Sequence, residues 1–370
     1  MLSAPFIRDL RDFIRSAFPG QFVTIVAGIV ALSLAAAVAT AIFRIRDRRA
    51  LRYGAIAAAL AFGTAYALWN AQGVADVDAV ERFHFVEYGL VTLLFYRAWR
   101  PSGDASAFIM PVFAGVVVGT LEEWLQWFIP GRVGDMRDVF LNAAAILCGL
   151  LFSLGIDPPT PLTPSLKPGS WRRIGIGATI ATMVFAMFVH TVHLGFEIED
   201  PDGGRFRSRY DAQALAALAE ARRAEWAAIG SIPRPASRSR EDQYLSEGHL
   251  HVQERNRQWS AGNIAAAWCE NRILEKFYAP VLTTPSYLDA KGHAWPDEHR
   301  EDASRRAGTA PAAGYVSRAD ATEGPHFIRA WPVPIFWLAV AGLVSAILAG
   351  TYALDRRSMG SDHGLTPLDC

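Results

Sequence analysis

Cysteine is scarce: Cys148, Cys269 and Cys370 are the three in 370 residues. They are too few and too scattered for a disulfide framework or a cysteine-ligated zinc. Lysine is almost missing as well, with Lys167, Lys276 and Lys291 against 33 arginines; this bias carries no functional signal. Charge of either sign is low, at 19% of residues, where an ordinary soluble chain has about 25%. Acids and bases balance at 36 each, which excludes a polyanion binder recognised by bulk charge, and nucleic acid with it. Catalytic signatures are lacking too. There is no Gly-x-Ser-x-Gly, no phosphate loop and no metal-spaced histidine pair in the apolar segments, so no catalytic residue, cofactor or metal is assigned.

What the chain has is apolar length. Hydrophobic residues make up 51%, yet mean hydropathy is only +0.16, because long apolar runs are diluted by a polar block. Seven runs approach membrane-spanning length: 22–43, 54–72, 83–99, 107–129, 137–156, 174–195 and 333–354, against the ~17–25 residues a bilayer requires. The first and last contain no charge; the third to fifth carry polar residues. The first run is longer than a signal-peptide core and is followed at once by Arg44, Arg46, Arg48, Arg49 and Arg52, so it reads as a retained helix. With that arginine loop cytoplasmic, the short loops on its side carry twelve basic residues and those opposite carry six. The positive-inside bias then places the N-terminus outside and the C-terminus in the cytoplasm of the bacterial inner membrane.

The fold class expected is all-α: a polytopic transmembrane helix bundle of about seven spans with a mainly helical extracytoplasmic domain. Residues 1–20 read as an interfacial amphipathic helix, with Phe6, Ile7, Leu10, Phe13, Ile14 and Phe18 at helical spacing. A six-span membrane domain follows over 21–196, then the extracytoplasmic domain over 197–330, a seventh span over 331–354 and a cytoplasmic tail over 355–370. Within the polar block, 208–228 reads as a helix, and 241–259 and 264–278 as an αα-hairpin closed at Ser260-Ala261-Gly262-Asn263. Residues 283–330 read as irregular. Histidines 249 and 251, flanked by Glu247 and Glu254, are two apart and do not share a helix face, so they read as solvated surface rather than a metal site. His190 and His193, three apart at the end of the sixth run, read as interfacial aromatic packing.

Ionisable groups inside spans are expensive and mark functional candidates. Here they collect in three segments. His84, Glu87 and Tyr88 line one face of the third run; Glu123 and Gln126 are three apart at the end of the fourth; Arg132 is in the loop Pro130-Gly131-Arg132; Asp138 and Asn142 are four apart at the start of the fifth. The topology brings all of them to one leaflet. Glu123 lies roughly 9 Å below the end of its helix at ~1.5 Å per residue and wants a cation, for which Arg132 and His84 are available. Arg132 and Asp135, in the loop, read as free to reach water.

At His84-x-x-Glu87-Tyr88, Glu123-x-x-Gln126, Pro130-Gly131-Arg132 and Asp138-x-x-x-Asn142 the sequence resembles the VanZ-like family of bacterial membrane proteins, over 81–151. Where the family often has glycine two after the asparagine, this chain has Ala143 and Ala144, with Gly149 later; that departure touches packing more than polar chemistry. The stretch 266–282, with Trp268, Glu270, Asn271, Glu275 and Pro280, is similar to the extra domain of some longer members. The family takes its name from a protein linked to resistance to the glycopeptide teicoplanin. The resemblance therefore implies a cell-envelope location and a motif, with a tie to antibiotic resistance only through that name, and no reaction.

Three readings stay open. In the first, an outer-leaflet pocket binds a lipid headgroup or envelope precursor, Arg132, His84 and Arg137 meeting phosphate while Glu123 and Asn142 orient the site. In the second, an intramembrane enzyme uses Glu123 or Glu87 as base and His84 as acid. In the third, the chain is an accessory subunit of a larger, for example energy-transducing, membrane complex; the cluster locks helices together and 197–330 docks other membrane subunits.

Overall fold

The computed structural model describes residues 13–14, 16–71, 73–129, 134–159, 166–229, 243–284, 292–308, 313–319 and 328–362. In chain order the elements are α1 (Phe22–Arg44), α2 (Arg49–Trp69), α3 (Ala75–Trp99), α4 (Ser106–Gln126), α5 (Met136–Ile156), α6 (Ser170–Val192), β1 (Phe196–Asp200), β2 (Gly204–Ser208), α7 (Ala212–Ile229), α8 (Gln243–Ser260), α9 (Ile264–Phe277), α10 (Asp297–Ala307) and α11 (Val333–Asp362). The expected all-α class holds. The interfacial helix expected over 6–18 falls mostly outside the described residues.

Among the described residues six helices, α1, α2, α4, α5, α6 and α11, are long and apolar enough to cross a membrane. The remaining expected span, 83–99, lies in α3, which is 25 residues long and begins eight residues earlier than its apolar run. Its first half carries Asp76, Asp78, Glu81, Arg82 and Glu87, and so reads as polar although it is helical.

The chain divides into two compact units: residues 1–123, 136–188 and 338–370, and residues 124–135 and 189–337. In the first unit α5 is the enclosed element, with thirteen buried residues, whereas α1 buries only Phe22 and Ala41. Leu32 and Phe43 of α1 are 72% and 73% exposed. Such a surface is costly in water and free of cost in hydrocarbon. Helices α3 and α5 run parallel: Arg137 and Glu81 meet at their starts, and Tyr96 Oη donates to the Asp157 carbonyl at their ends, 2.7 Å. Gly149 permits this approach, since a methyl there would lie 2.8 Å from Gly89 Cα.

The two ends of this bundle are polar and its middle is apolar. At one end Arg52 donates to the Gly155 and Ile156 carbonyls, 2.8 and 2.5 Å, satisfying the last turn of α5 as a basic C-cap does. Nearby, Arg100 pairs with Asp157 at 3.1 Å. Burial works to raise the Asp104 carboxyl, but hydrogen bonds from Ser106, Ser170 and the Lys167 N–H hold it at about 2. The 21 residues of α5 place the opposite end about 30 Å away, the thickness of a bilayer core. That opposite end holds the candidate site.

The second unit has its own core: Phe206, Leu215, Tyr244, Leu245, Ile273 and Leu274 among others. Strands β1 and β2 form an antiparallel hairpin in which Phe196 faces Ser208 and Asp200 faces Gly204. Its two-residue period is masked in the sequence because Glu197, Glu199, Arg205 and Arg207 alternate with the inward residues. The α8–α9 hairpin forms as expected, turning at Gly262 with φ +78°.

Helix α8 requires a correction. Glu247, His249, His251 and Glu254 are all buried, not a solvated face. Glu247 accepts from Ser208 Oγ (2.6 Å), the Arg209 N–H (3.0 Å), Gln243 Nε2 (2.8 Å) and Tyr278 Oη (2.9 Å). His251 Nδ1 and Tyr315 Oη bond the two oxygens of Glu270, 2.7 and 2.6 Å. Arg255 reaches Asn271 and the His293 carbonyl with its guanidinium 4.8 Å from the Trp295 ring centre. Glu247, Glu270 and Arg255 are each hydrogen-bonded, the condition under which burial is tolerated. His190, as expected, packs on an aromatic ring, that of Trp337, at 5.7 Å.

Candidate functional site

The polar end of the first unit is built from the first turns of α3, the last turns of α4 and the first turns of α5. Its strongest node was not foreseen. Arg137 pairs with Glu81, Nη1 to Oε1 at 2.9 Å and Nη2 to Oε2 at 3.1 Å. It also donates to Asn70, through Nε to the side-chain oxygen at 3.0 Å and through Nη2 to the carbonyl. One planar guanidinium thus ties the end of α2 to the starts of α3 and α5. The sequence held a clue in Asn70, which follows α2 where carbonyls go unpaired.

About two turns further in, Tyr88 Oη donates to Glu122 Oε2 at 2.6 Å, and its ring stacks on His84, centroids 6.1 Å apart and 11° from parallel. Glu87 is half-buried beside them, within electrostatic reach of both Glu122 and His84. Glu123, the carboxylate singled out from sequence, is fully enclosed. It is its neighbour Glu122 that receives the tyrosine.

Asn142 is 1% exposed, and neither its amide oxygen nor its nitrogen has a hydrogen-bond partner among the described residues. The same holds for His84 Nδ1. Asn142 lies alongside Tyr88 because Gly119 of α4 lets both in: a methyl at Gly119 would be 3.1 Å from Asn142 Cβ and 3.2 Å from Tyr88 Cε1. Glu122 and Glu123 follow Gly119 by three and four residues, on the same helix face.

His84, Glu87, Tyr88, Glu123 and Asn142 therefore belong to this end of the first unit. Asp138, half-buried, is on the first turn of α5. Gln126 is buried at the end of α4 and belongs to the second unit. Arg132, with Pro130 and Gly131, lies outside the described residues. Asp135, expected to be solvated, is buried. Among the described residues no group of three or more His, Cys, Asp or Glu could hold a metal ion. The described members are richer in acceptors than in donors, and they suit hydrogen bonding and charge compensation.

No curated protein and no solved structure matches the chain. Residues 22–156, which span α1 to α5 and include this polar end, match the family described as VanZ/LLP1, and they contain every segment of the motif read between 81 and 151. Residues 22–156 are therefore a VanZ-like domain, in a chain with six helices, among the described residues, long and apolar enough to cross a membrane.

Proposed function

We propose that the protein lies in the bacterial inner membrane and binds the headgroup of a membrane lipid, or of an envelope precursor, at the polar end formed by α3, α4 and α5. In this reading that end faces the outer leaflet, and the C-terminus is cytoplasmic. The observation that carries the reading is Asn142: an enclosed amide with no partner for either atom among the described residues. A purely structural lock pairs its members, since an unmade buried hydrogen bond costs about 1–3 kcal/mol. An amide without a partner among the described residues, beside a Tyr–Glu pair, suits a site that a bound headgroup completes.

The test is what leaves the membrane with the protein. Lipids extracted from the chain purified in mild detergent should contain one species enriched over the bulk membrane. Glu123→Gln should lose that enrichment with its melting temperature unchanged, since shape and some hydrogen bonds survive. Absence of any enriched lipid overturns the reading.

The accessory-subunit reading is favoured by a different observation, the Arg137 node that fastens three helices without any ligand. It requires foreign membrane subunits to co-purify in fixed stoichiometry, docked through 197–330, with lipid composition indifferent to Glu123.

A further inference from the structure

At the opposite end of the first unit, one turn carries positive charge that nothing described there balances. Residues 45–48 join α1 to α2. Both helices are long and apolar enough to cross a membrane, so the turn belongs at a bilayer surface whichever side it faces. The arginines around it are of two kinds. Arg52 is 7% exposed and points inward: it bonds the Gly155 and Ile156 carbonyls and pairs with Asp47 at 2.5 Å. Asp47 is the sole acid between Arg44 and Arg52. Arg44, Arg46, Arg48 and Arg49 are exposed, and none of their side chains forms an ion pair or hydrogen bond with a described residue. The further acids of this end are engaged as well: Asp104 by Ser106 and Ser170, Asp157 by Arg100, and Asp355 by the Gly169 N–H.

The turn is firmly held. Ile45 is 1% exposed and packs with Ala41, Ile56 and Ile156. Helix α5 approaches so closely that a methyl at Gly155 would lie 2.8 Å from the Arg52 carbonyl oxygen. Charges on a fixed turn meet a ligand without the entropy loss of ordering a loop.

Arg48 supplies an independent observation. Its backbone is left-handed, φ +42° and ψ +40°, and it is the one non-glycine residue with positive φ among the described residues. A side chain there crowds the following carbonyl, and glycine escapes that crowding. Orienting the chain needs basic residues near helix ends, but none at the least favourable backbone position. An outlier of this kind points to a use for the side chain.

We propose that the turn Arg44–Arg49 is a binding surface for anionic phospholipid, its guanidinium groups meeting headgroup phosphodiesters. A guanidinium keeps its charge and offers phosphate a fork of donors. The proposal is independent of the site at the other end of the bundle.

The full-length protein in neutral detergent is titrated with mixed micelles containing phosphatidylglycerol or phosphatidylcholine, and binding is read from the rise in melting temperature. Phosphatidylglycerol should bind at least about tenfold tighter at low salt, and the difference should fade at about 1 M salt, where the Debye length is about 3 Å. Arg46→Gln and Arg48→Gln should each weaken phosphatidylglycerol by about fivefold and leave phosphatidylcholine as it was. Arg223→Gln, at an exposed position of α7, should change neither. Arg48→Gly separates binding from folding, and it serves also should a glutamine variant fail to fold. It should lose the same fivefold while the lipid-free protein melts no lower than the unaltered chain. Equal binding of the two lipids, or a preference that the turn variants leave intact, overturns the proposal. So does a lower lipid-free melting temperature in Arg48→Gly with the preference kept, which assigns Arg48 to folding. Glycerol 3-phosphate protecting as well as the lipid at equal concentration overturns it too, in favour of a soluble phosphate ester.

Discussion

Arg137 and Glu81 are 56 residues apart in sequence and stabilise one another at a helix end where neither side chain is more than 22% exposed. Removing one partner strands the other. Arg137→Ala should cost about 2–3 kcal/mol, a little below the roughly 3–5 kcal/mol for a fully buried pair because this one is partly exposed, and lower the melting temperature in detergent by about 5 °C or more. Arg137→Lys should recover less than half, because a point charge cannot span Glu81 and both oxygens of Asn70. Thermal unfolding of the two variants checks this. His249 gives a prediction in pH. Burial, and then its neighbour His293, push its pKa from 6.5 down to about 4, so the folded state keeps it neutral. Between those values the unfolded chain binds a proton that the folded chain refuses. Its contribution is thus fully present above pH 6.5 and drains away as pH falls toward 4, by about 3 kcal/mol in all. Acid unfolding of the second unit, followed by hydrogen exchange, should begin below pH 6.5 and be blunted in His249→Gln. The sequence exposed the residue types of both sites plainly. It did not tell that His249 is enclosed, because burial is conferred by the residues opposite.

Helices α3 and α5 touch closely where glycine meets glycine, and α1 touches little. The difference predicts opposite outcomes for one chemical change. Gly149→Ala puts a methyl 2.8 Å from Gly89 Cα and 3.1 Å from its carbonyl oxygen; backbone cannot yield as a side chain can, so the cost should be about 1–3 kcal/mol. Gly28→Ala meets nothing within 4 Å and should be neutral or stabilising by up to about 1 kcal/mol, from helix propensity alone. Melting temperatures of the two in the same detergent decide. At this scale most of the structure was legible. Each apolar run lies in a helix, with ends displaced by a few residues except at the start of α3, which precedes its run by eight. The misread elements share one cause. The start of α3, the β1–β2 hairpin and the inner face of α8 are rich in charge, and charge was taken as a mark of solvent. In each case charge sits in a periodic element whose partners pair with it or hydrogen-bond it, as Arg137 does for Glu81, Lys276 for Asp200 and Tyr278 for Glu247.

For the whole molecule, orientation in the membrane is the quantity to measure. The native thiols serve poorly. Cys269 is fully buried, and burial, followed by Glu270, pushes its pKa up to about 12, so it should resist maleimide until the protein unfolds. Exposed positions serve better. In a Cys370→Ser background, Arg223→Cys on α7 and Arg356→Cys on α11, both exposed in the native chain, report the two sides. An impermeant maleimide on intact spheroplasts should label the first and spare the second. The reverse pattern inverts the topology drawn from the arginine loops.

Membrane residence and helicity were determined by the sequence itself. Both follow from contiguous residues: a run of about 20 apolar side chains must close its own backbone hydrogen bonds in hydrocarbon, and the helix is the way a single segment does so. The gathering of polar residues at one end was legible for the same reason, since spans of fixed length alternate direction. Which groups actually meet was decided by tertiary structure. Whether Glu122 or Glu123 reaches Tyr88 depends on the rotation of α4 about its axis, and that rotation is set by how closely Gly119 lets Tyr88 and Asn142 approach. A 100° step between neighbouring residues on a helix is small in sequence, yet it decides whether a carboxylate is bonded to a tyrosine or enclosed beside it.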